Sequence, residues 1–133
     1  MCGIIGYCGP KNPAQVLIEG LKRLEYRGYD SAGICVNNND DELTVIKSKG
    51  KIKDLQKKVP AEIGGSYGIG HTRWATHGVV NDTNAHPHKS CSGKVVIVHN
   101  GIIENYEKLR QVLTDEGHNF VTETDSEVVA HLV

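Results

Sequence analysis

The chain has 133 residues, 38% hydrophobic and 23% charged, with a formal net charge of −1 at neutral pH. That length suits one domain with a real core. The near-neutral balance excludes a sequence-independent attraction to nucleic acid or anionic membrane, and no apolar run reaches the roughly 20 residues that span a bilayer.

No basic-then-apolar leader opens the chain, and no repeat or low-complexity tract interrupts it. The four cysteines, Cys2, Cys8, Cys35 and Cys91, show no CxxC spacing. Such sparse thiols favour a reduced, cytoplasmic setting.

In chain order, "GIIGYCG" predicts a short buried strand bounded by glycines. "NPAQVLIEGLKRLEYRG" predicts a helix capped by Asn12, with Pro13 in its first turn and Gln15 at capping-box distance. Leu17, Leu21 and Leu24 share one face of it, and Gly28 is placed to end it. Residues 31–36 and 42–48 predict two strands joined by the polar turn "NNNDDE". "DLQKKV" predicts a short amphipathic helix stopped by Pro60. "YGIGHT" and "KVVIVHN" predict interior strands. "ENYEKLRQVLTDEG" predicts a helix burying Tyr106, Leu109, Val112 and Leu113, and "HNFVTE" another strand. "TDSEVVAHLV" begins with Thr124 and Glu127 at capping-box spacing, predicting a helix there. The sequence stops about two turns later with no stop signal, so the expectation is a chain cut inside a helix.

Four segments carry candidate chemistry. Cys2 directly follows Met1. Methionine aminopeptidases act when the next side chain is small, and the product would hold a thiol and a free α-amine on one residue. A thiol with a pKa of about 8.5 is little ionised at neutral pH, and an amine titrating near 8 can take its proton and return it to a leaving group. The plainer alternative is a small buried residue early in the chain. "GHTRWATHG" sets Arg73 in a loop, where it suits either two-pronged binding of a carboxylate or a surface place beside a packing Trp74. Asn100 and Gly101 in "HNGIIEN" offer two donors for an oxyanion or an ordinary Asn-Gly turn. Asp125 in "TETD" suits an ammonium group or a helix cap.

"MCGIIG", "LEYRGYDSAG", "GHTRWATHG", "NAHPH", "HNGIIEN" and "TETDSEV" occur together and in this order. The chain resembles, end to end, the N-terminal-nucleophile (class II) glutamine amidotransferases. Within them it is most similar to the glutaminase domain of the glutamine–fructose-6-phosphate amidotransferase family. The resemblance implies that Cys2 is the nucleophile, with its own amine as base, and that Asn100 and Gly101 form the oxyanion hole. It implies that Arg73 binds the glutamine α-carboxylate and Asp125 the α-amino group. Trp74, Thr76 and His77 would wall the pocket, with His86 beside it and Arg27 and Gly28 in support. No cofactor and no metal are implied.

The implied reaction is hydrolysis of L-glutamine through a Cys2 thioester to glutamate and ammonia. In the complete homo-oligomeric enzyme of the family, that ammonia aminates fructose 6-phosphate to glucosamine 6-phosphate. The implied fold is α+β, antiparallel sheets layered between helices (αββα). The family's glutaminase domain is roughly twice this length, so residues 1–133 are expected to be its N-terminal part, truncated, with the sugar-phosphate isomerase domains absent.

Three other readings compete. A metal-binding protein would use His86, His88 and Cys91, but their spacing fits no standard zinc pattern. An inactive fragment would bind glutamine without chemistry, because retained Met1 locks the Cys2 nitrogen in a peptide bond. A related amidotransferase such as an asparagine synthetase would differ in its acceptor, and "LEYRGYDSAG" argues against it.

Overall fold

The computed structural model describes residues 1–38, 40 and 42–133. Asn39 and Asp41, in the expected polar turn, lie outside the described residues. The elements are β1 (Gly3–Cys8), α1 (Pro13–Leu24), a 3₁₀ turn (Glu25–Arg27), β2 (Ser31–Asn37), β3 (Leu43–Lys49), α2 (Ile52–Lys58), β4 (Tyr67–Arg73), β5 (His88–Lys89), β6 (Val96–Ile97), α3 (Tyr106–Asp115) and α4 (Glu127–Leu132). This is the expected α+β class. No helix among the described residues is long and apolar enough to cross a membrane.

The first half folds around one antiparallel sheet in the order β1-β4-β2-β3. β4 is an interior strand, paired with β1 from Gly3↔Thr72 to Cys8↔Tyr67 and with β2 from Ser31↔Arg73 to Val36↔Gly68. α1 forms as predicted: the Asn12 side chain accepts from the Gln15 N–H, and Pro13 begins the helix. Leu17 and Leu21 are fully buried against Ala32, Ile34 and Val36 of β2 and Ile52 and Leu55 of α2, with Leu24 partly buried at the margin. Burying a leucine completely is worth roughly 1.5–3 kcal/mol, so this α1–sheet–α2 contact is the main source of cohesion.

The second half is less regular. β5 and β6 form a two-residue ladder, His88↔Ile97 and Lys89↔Val96. One close approach joins it to the sheet: a Cβ on Gly33 would lie 2.1 Å from the His86 carbonyl oxygen. Only glycine lets the 84–88 segment lie on β2, and that contact delivers His86 toward the end of β4.

Several expectations need correction. β1 is an edge strand with Ile4 45% exposed, so it is not a buried strand. The run 94–100 pairs only at Val96–Ile97; beyond it, the His99 carbonyl accepts from the His71 ring instead of a ladder. Residues 118–123 form no strand. The amides of the last three of these residues are taken by side chains: Val121 and Thr122 donate to Glu127, and Glu123 donates to Asn84 Oδ1. The Thr124–Glu127 capping box does not form. Thr124 Oγ1 pairs with Thr122 and His88, and the Glu127 carboxylate faces residues 121–122. On α3 only Leu113 is fully buried, and Val112 is exposed at 46%.

Candidate active site

Beyond the C-terminal end of β4, against the start of β1, the chain encloses a cavity of about 260 Å³. Cys2, Arg73, Trp74, Thr76, His86, Gly101 and Asp125 line it. So do His99, Ile102 and Ser126, which the sequence did not single out, and Thr124, which it offered only as a helix cap. A larger groove between α1 and α2, about 420 Å³, is lined by Asn12, Gln15, Glu19, Gln56 and apolar residues and gathers no comparable chemistry.

Strand pairing sets the thiol in place. Gly3 pairs with Thr72, so Cys2 lies beside Arg73 and Trp74 where β1 and β4 end together. The Trp74 N–H donates to Cys2 Sγ at 3.1 Å. The Met1 amine donates to the carbonyls of Arg27 (3.1 Å) and Gly28 (2.9 Å). Those two residues thus act through their backbone at the terminus. The Arg27 side chain instead turns to Tyr26.

Arg73 is 3% exposed and its guanidinium donates to the carbonyls of His77 and Val79. Burial lowers its pKa from the usual arginine range, opposed by the charges of Asp30, Cys2 and Asp125. An arginine remains protonated under any ordinary condition, so this is a fixed buried cation. Across the cavity, Asp125 is 3% exposed, and its Oδ2 accepts from the Ile103 N–H at 2.6 Å. It is therefore anchored to the loop after Gly101 and caps no helix of its own; α4 starts after Ser126 without a side-chain cap. His77 does not reach the cavity lining. It stands behind Asp125, with Nδ1 3.8 Å from Oδ1 and its ring edge-on to Tyr106.

Asn100 is off the lining as well, and its orientation is set by a residue the sequence did not single out. His71, fully buried on β4, places Nε2 2.7 Å from Asn100 Oδ1 and 3.2 Å from the His99 carbonyl oxygen. A carbonyl can only accept, so Nε2 carries the proton and Asn100 presents its oxygen to it. The Asn100 amide nitrogen is thereby turned the other way. Burial pushes the His71 pKa down to about 4, against the raising effect of these hydrogen bonds, so the ring is neutral. His71 stacks on His86 with centroids 4.2 Å apart, and His86 lies 4.2 Å from His88. Gly101 has φ +144°, a left-handed-side value that L side chains rarely adopt, and a Cβ there would meet the His99 ring at 3.1 Å.

Comparison with known proteins identifies the family. A family model described as a glutamine amidotransferase domain matches residues 56–133. The glutamine–fructose-6-phosphate aminotransferase (isomerizing) of Pyrococcus horikoshii is 58% identical over 134 residues, covering 100% of this chain and 22% of that protein. The same-named protein of Listeria innocua is 55% identical over 133 residues, with the same coverage. Among solved structures, the glutamine phosphoribosylpyrophosphate amidotransferase of B. subtilis, complexed with ADP and GMP, superposes with a TM-score of 0.79. It is 32% identical, over 99% of this chain and 29% of that one. The chain thus spans about a fifth of the length of the curated relatives it matches (22%). Its helices and antiparallel sheets are part of the N-terminal-nucleophile amidotransferase fold. A thiol at the second residue, a buried cation and a buried anion around one cavity, and these likenesses place the chain in the glutamine amidotransferase domain family.

Proposed function

We propose that residues 1–133 are the first part of the glutaminase domain of a glutamine–fructose-6-phosphate amidotransferase, and that the site hydrolyses L-glutamine. The observation that carries this is the single cavity shared by the Cys2 thiol, the Arg73 cation and the Asp125 anion. At about 260 Å³ it lies just below the range for drug-sized ligands, about 300–1,000 Å³, a scale suited to one amino acid. Glutamine is a zwitterion with a terminal amide, so its recognition needs an anion, a cation and a nucleophile at one end. Arg73 takes the α-carboxylate, Asp125 the α-ammonium, and Trp74, Thr76, His77 and His86 shape or brace the walls.

Once Met1 is removed, the Cys2 amine withdraws the thiol proton and the sulfur attacks the amide carbon. The oxyanion is held by the Asn100 amide and the Gly101 N–H. The C–N bond breaks, the amine returns the proton to the leaving ammonia, and water hydrolyses the γ-glutamyl thioester to glutamate. In the whole homo-oligomeric enzyme, isomerase domains beyond this chain use the ammonia on fructose 6-phosphate. The four cysteines are all unbridged, which suits a cytoplasmic setting.

A glutamine-mimicking electrophile tests the assignment. It should label Cys2 in protein lacking Met1, and excess glutamine should block it. Cys35 is buried and its thiol is pushed up to about 11 by burial, so it should stay unlabelled. Glutamine-protected labelling of Cys8 or Cys91 would move the nucleophile.

A second reading rests on Met1, whose amine occupies the Arg27 and Gly28 carbonyls. In that state the Cys2 nitrogen is an amide without a proton-accepting lone pair, and the protein binds glutamine without turning it over. Calorimetry with glutamine, paired with glutamate release, separates the two.

A further inference from the structure

The second half of the chain is tied together by little regular structure, yet three side chains from three of its segments converge. Cys91 lies in the turn between β5 and β6, His118 follows α3, and His131 is in α4. Cys91 Sγ is 3.3 Å from His118 Nδ1, and the rings of His118 and His131 meet edge-on with centroids 5.3 Å apart. The sulfur and one nitrogen from each ring all lie within 4.8 Å of one another. Around a tetrahedral zinc ion, bonds of about 2.3 Å to sulfur and about 2.0–2.1 Å to nitrogen set donor atoms roughly 3.3–3.6 Å apart. One pair is already at that spacing, and the others need to close from no more than 4.8 Å.

His131 is prepared for such a role. Its side chain is buried, and its Nε2 pairs with Glu127 Oε1 at 3.1 Å. The Glu127 carboxylate accepts also from the Val121 N–H, the Thr122 N–H and the Thr122 hydroxyl. A carboxylate that accepts from all sides takes a proton donor from the histidine too, so Nε2 carries the hydrogen and Nδ1 holds a lone pair. That Nδ1 is buried without a partner. A carboxylate fixing one ring nitrogen while the other is left free is the outer-shell arrangement of metal-bound histidine.

We propose that Cys91, His118 and His131 form a zinc(II) site that fastens the β5–β6 turn, the segment after α3 and helix α4 to one another. One thiolate and two imidazoles suit a borderline-soft dication and not magnesium or calcium, which take oxygen ligands. The thiolate and Glu127 together balance the ion's charge. Cys91 is exposed, so a fourth position is open to water. The proposal departs from the sequence expectation of no metal. Of the histidines weighed there, His86 stacks on His71, and His88 Nε2 pairs with Thr124.

Cobalt(II) titration of the reduced chain tests the site independently of any activity. The expected result is a thiolate-to-cobalt charge-transfer band that saturates at one equivalent and is displaced by zinc. Cys91→Ser should abolish the band, and His118→Asn should weaken zinc by more than the roughly 10–100-fold that loss of an outer-shell partner costs. Zinc should raise the thermal midpoint of the unsubstituted chain but not of Cys91→Ser. Both substitutions lie outside the buried core, and circular dichroism checks that each variant is folded. No charge-transfer band, or a band that persists in Cys91→Ser from the thiols of Cys2 or Cys8, overturns the proposal.

Discussion

Cys2 Sγ receives the Trp74 N–H, lies 3.7 Å from the Trp74 carbonyl oxygen to which its thiol donates, and borders the cavity. Its reactivity in the proposed mechanism therefore rests on the terminal amine and on the donors facing it. In that mechanism the Asn100 amide is one oxyanion donor, and His71 holds the Asn100 side-chain oxygen. His71 touches no substrate position, so it is a positioning residue. Replacing it by Gln in the full-length parent, with Met1 removed, should lower kcat by up to about 100-fold, the low end for losing one oxyanion donor, with KM little changed. An unchanged kcat would contradict that role. The sequence displays both partners, His71 in "GHTRWATHG" and Asn100 in "HNGIIEN". Nothing in their spacing reveals that they meet, because the contact exists only after β4 and the 99–101 loop are brought side by side. Cys2, Arg73, Gly101 and Asp125 were legible because their chemistry is compact and lies within quoted motifs. Whether they act as proposed is a matter for the labelling experiment.

At the scale of elements, α1, β2, β3, α2 and β4 were readable. Each carries a strong local signal, as Asn12 and Pro13 do for α1, even where, as for β4, the strand partners are distant in sequence. The second half was harder because its backbone groups are satisfied by side chains from afar. The Ser/Thr-x-x-Glu signal at Thr124–Glu127 is a true signal whose partners were captured by Thr122, Val121 and His88. The link between the halves gives a sharp test. Gly33→Ala would set a methyl 2.1 Å from the His86 carbonyl oxygen, within backbone that cannot rotate away. Overpacking of this kind should cost about 1–3 kcal/mol by urea unfolding and should displace His86 from the cavity wall. A variant as stable as the unsubstituted chain would show that the 84–88 segment is not seated on β2.

For the whole molecule, the three adjoining histidines, His71, His86 and His88, make an acid-sensitive centre. Burial holds His71 down to about 4 and pushes His86 and His88 lower still, with mutual repulsion and the charges of Arg73 and Lys47 adding to the effect. An unfolded chain titrates such rings near pH 6.5. Above that value both states are neutral and the rings leave stability unchanged. Below it the unfolded state binds protons that the folded state refuses, and stability falls. For His71 the loss ends near its folded value, and for the other two it continues further down. Each ring contributes about 1.4 kcal/mol per pH unit within its window. The urea midpoint should therefore drop steeply from about pH 6.5 to about pH 5, before most carboxylates titrate. A flat profile there would mean that these rings are hydrated in the folded protein.

In the proposed reaction one terminal residue supplies both the attacking sulfur and the base that activates it. Glutamate release by the full-length parent tests this most directly, compared across three preparations: Met1 removed, Met1 retained, and Cys2→Ala with Met1 removed. Turnover is predicted only in the first. Sustained release by either of the others would contradict the mechanism.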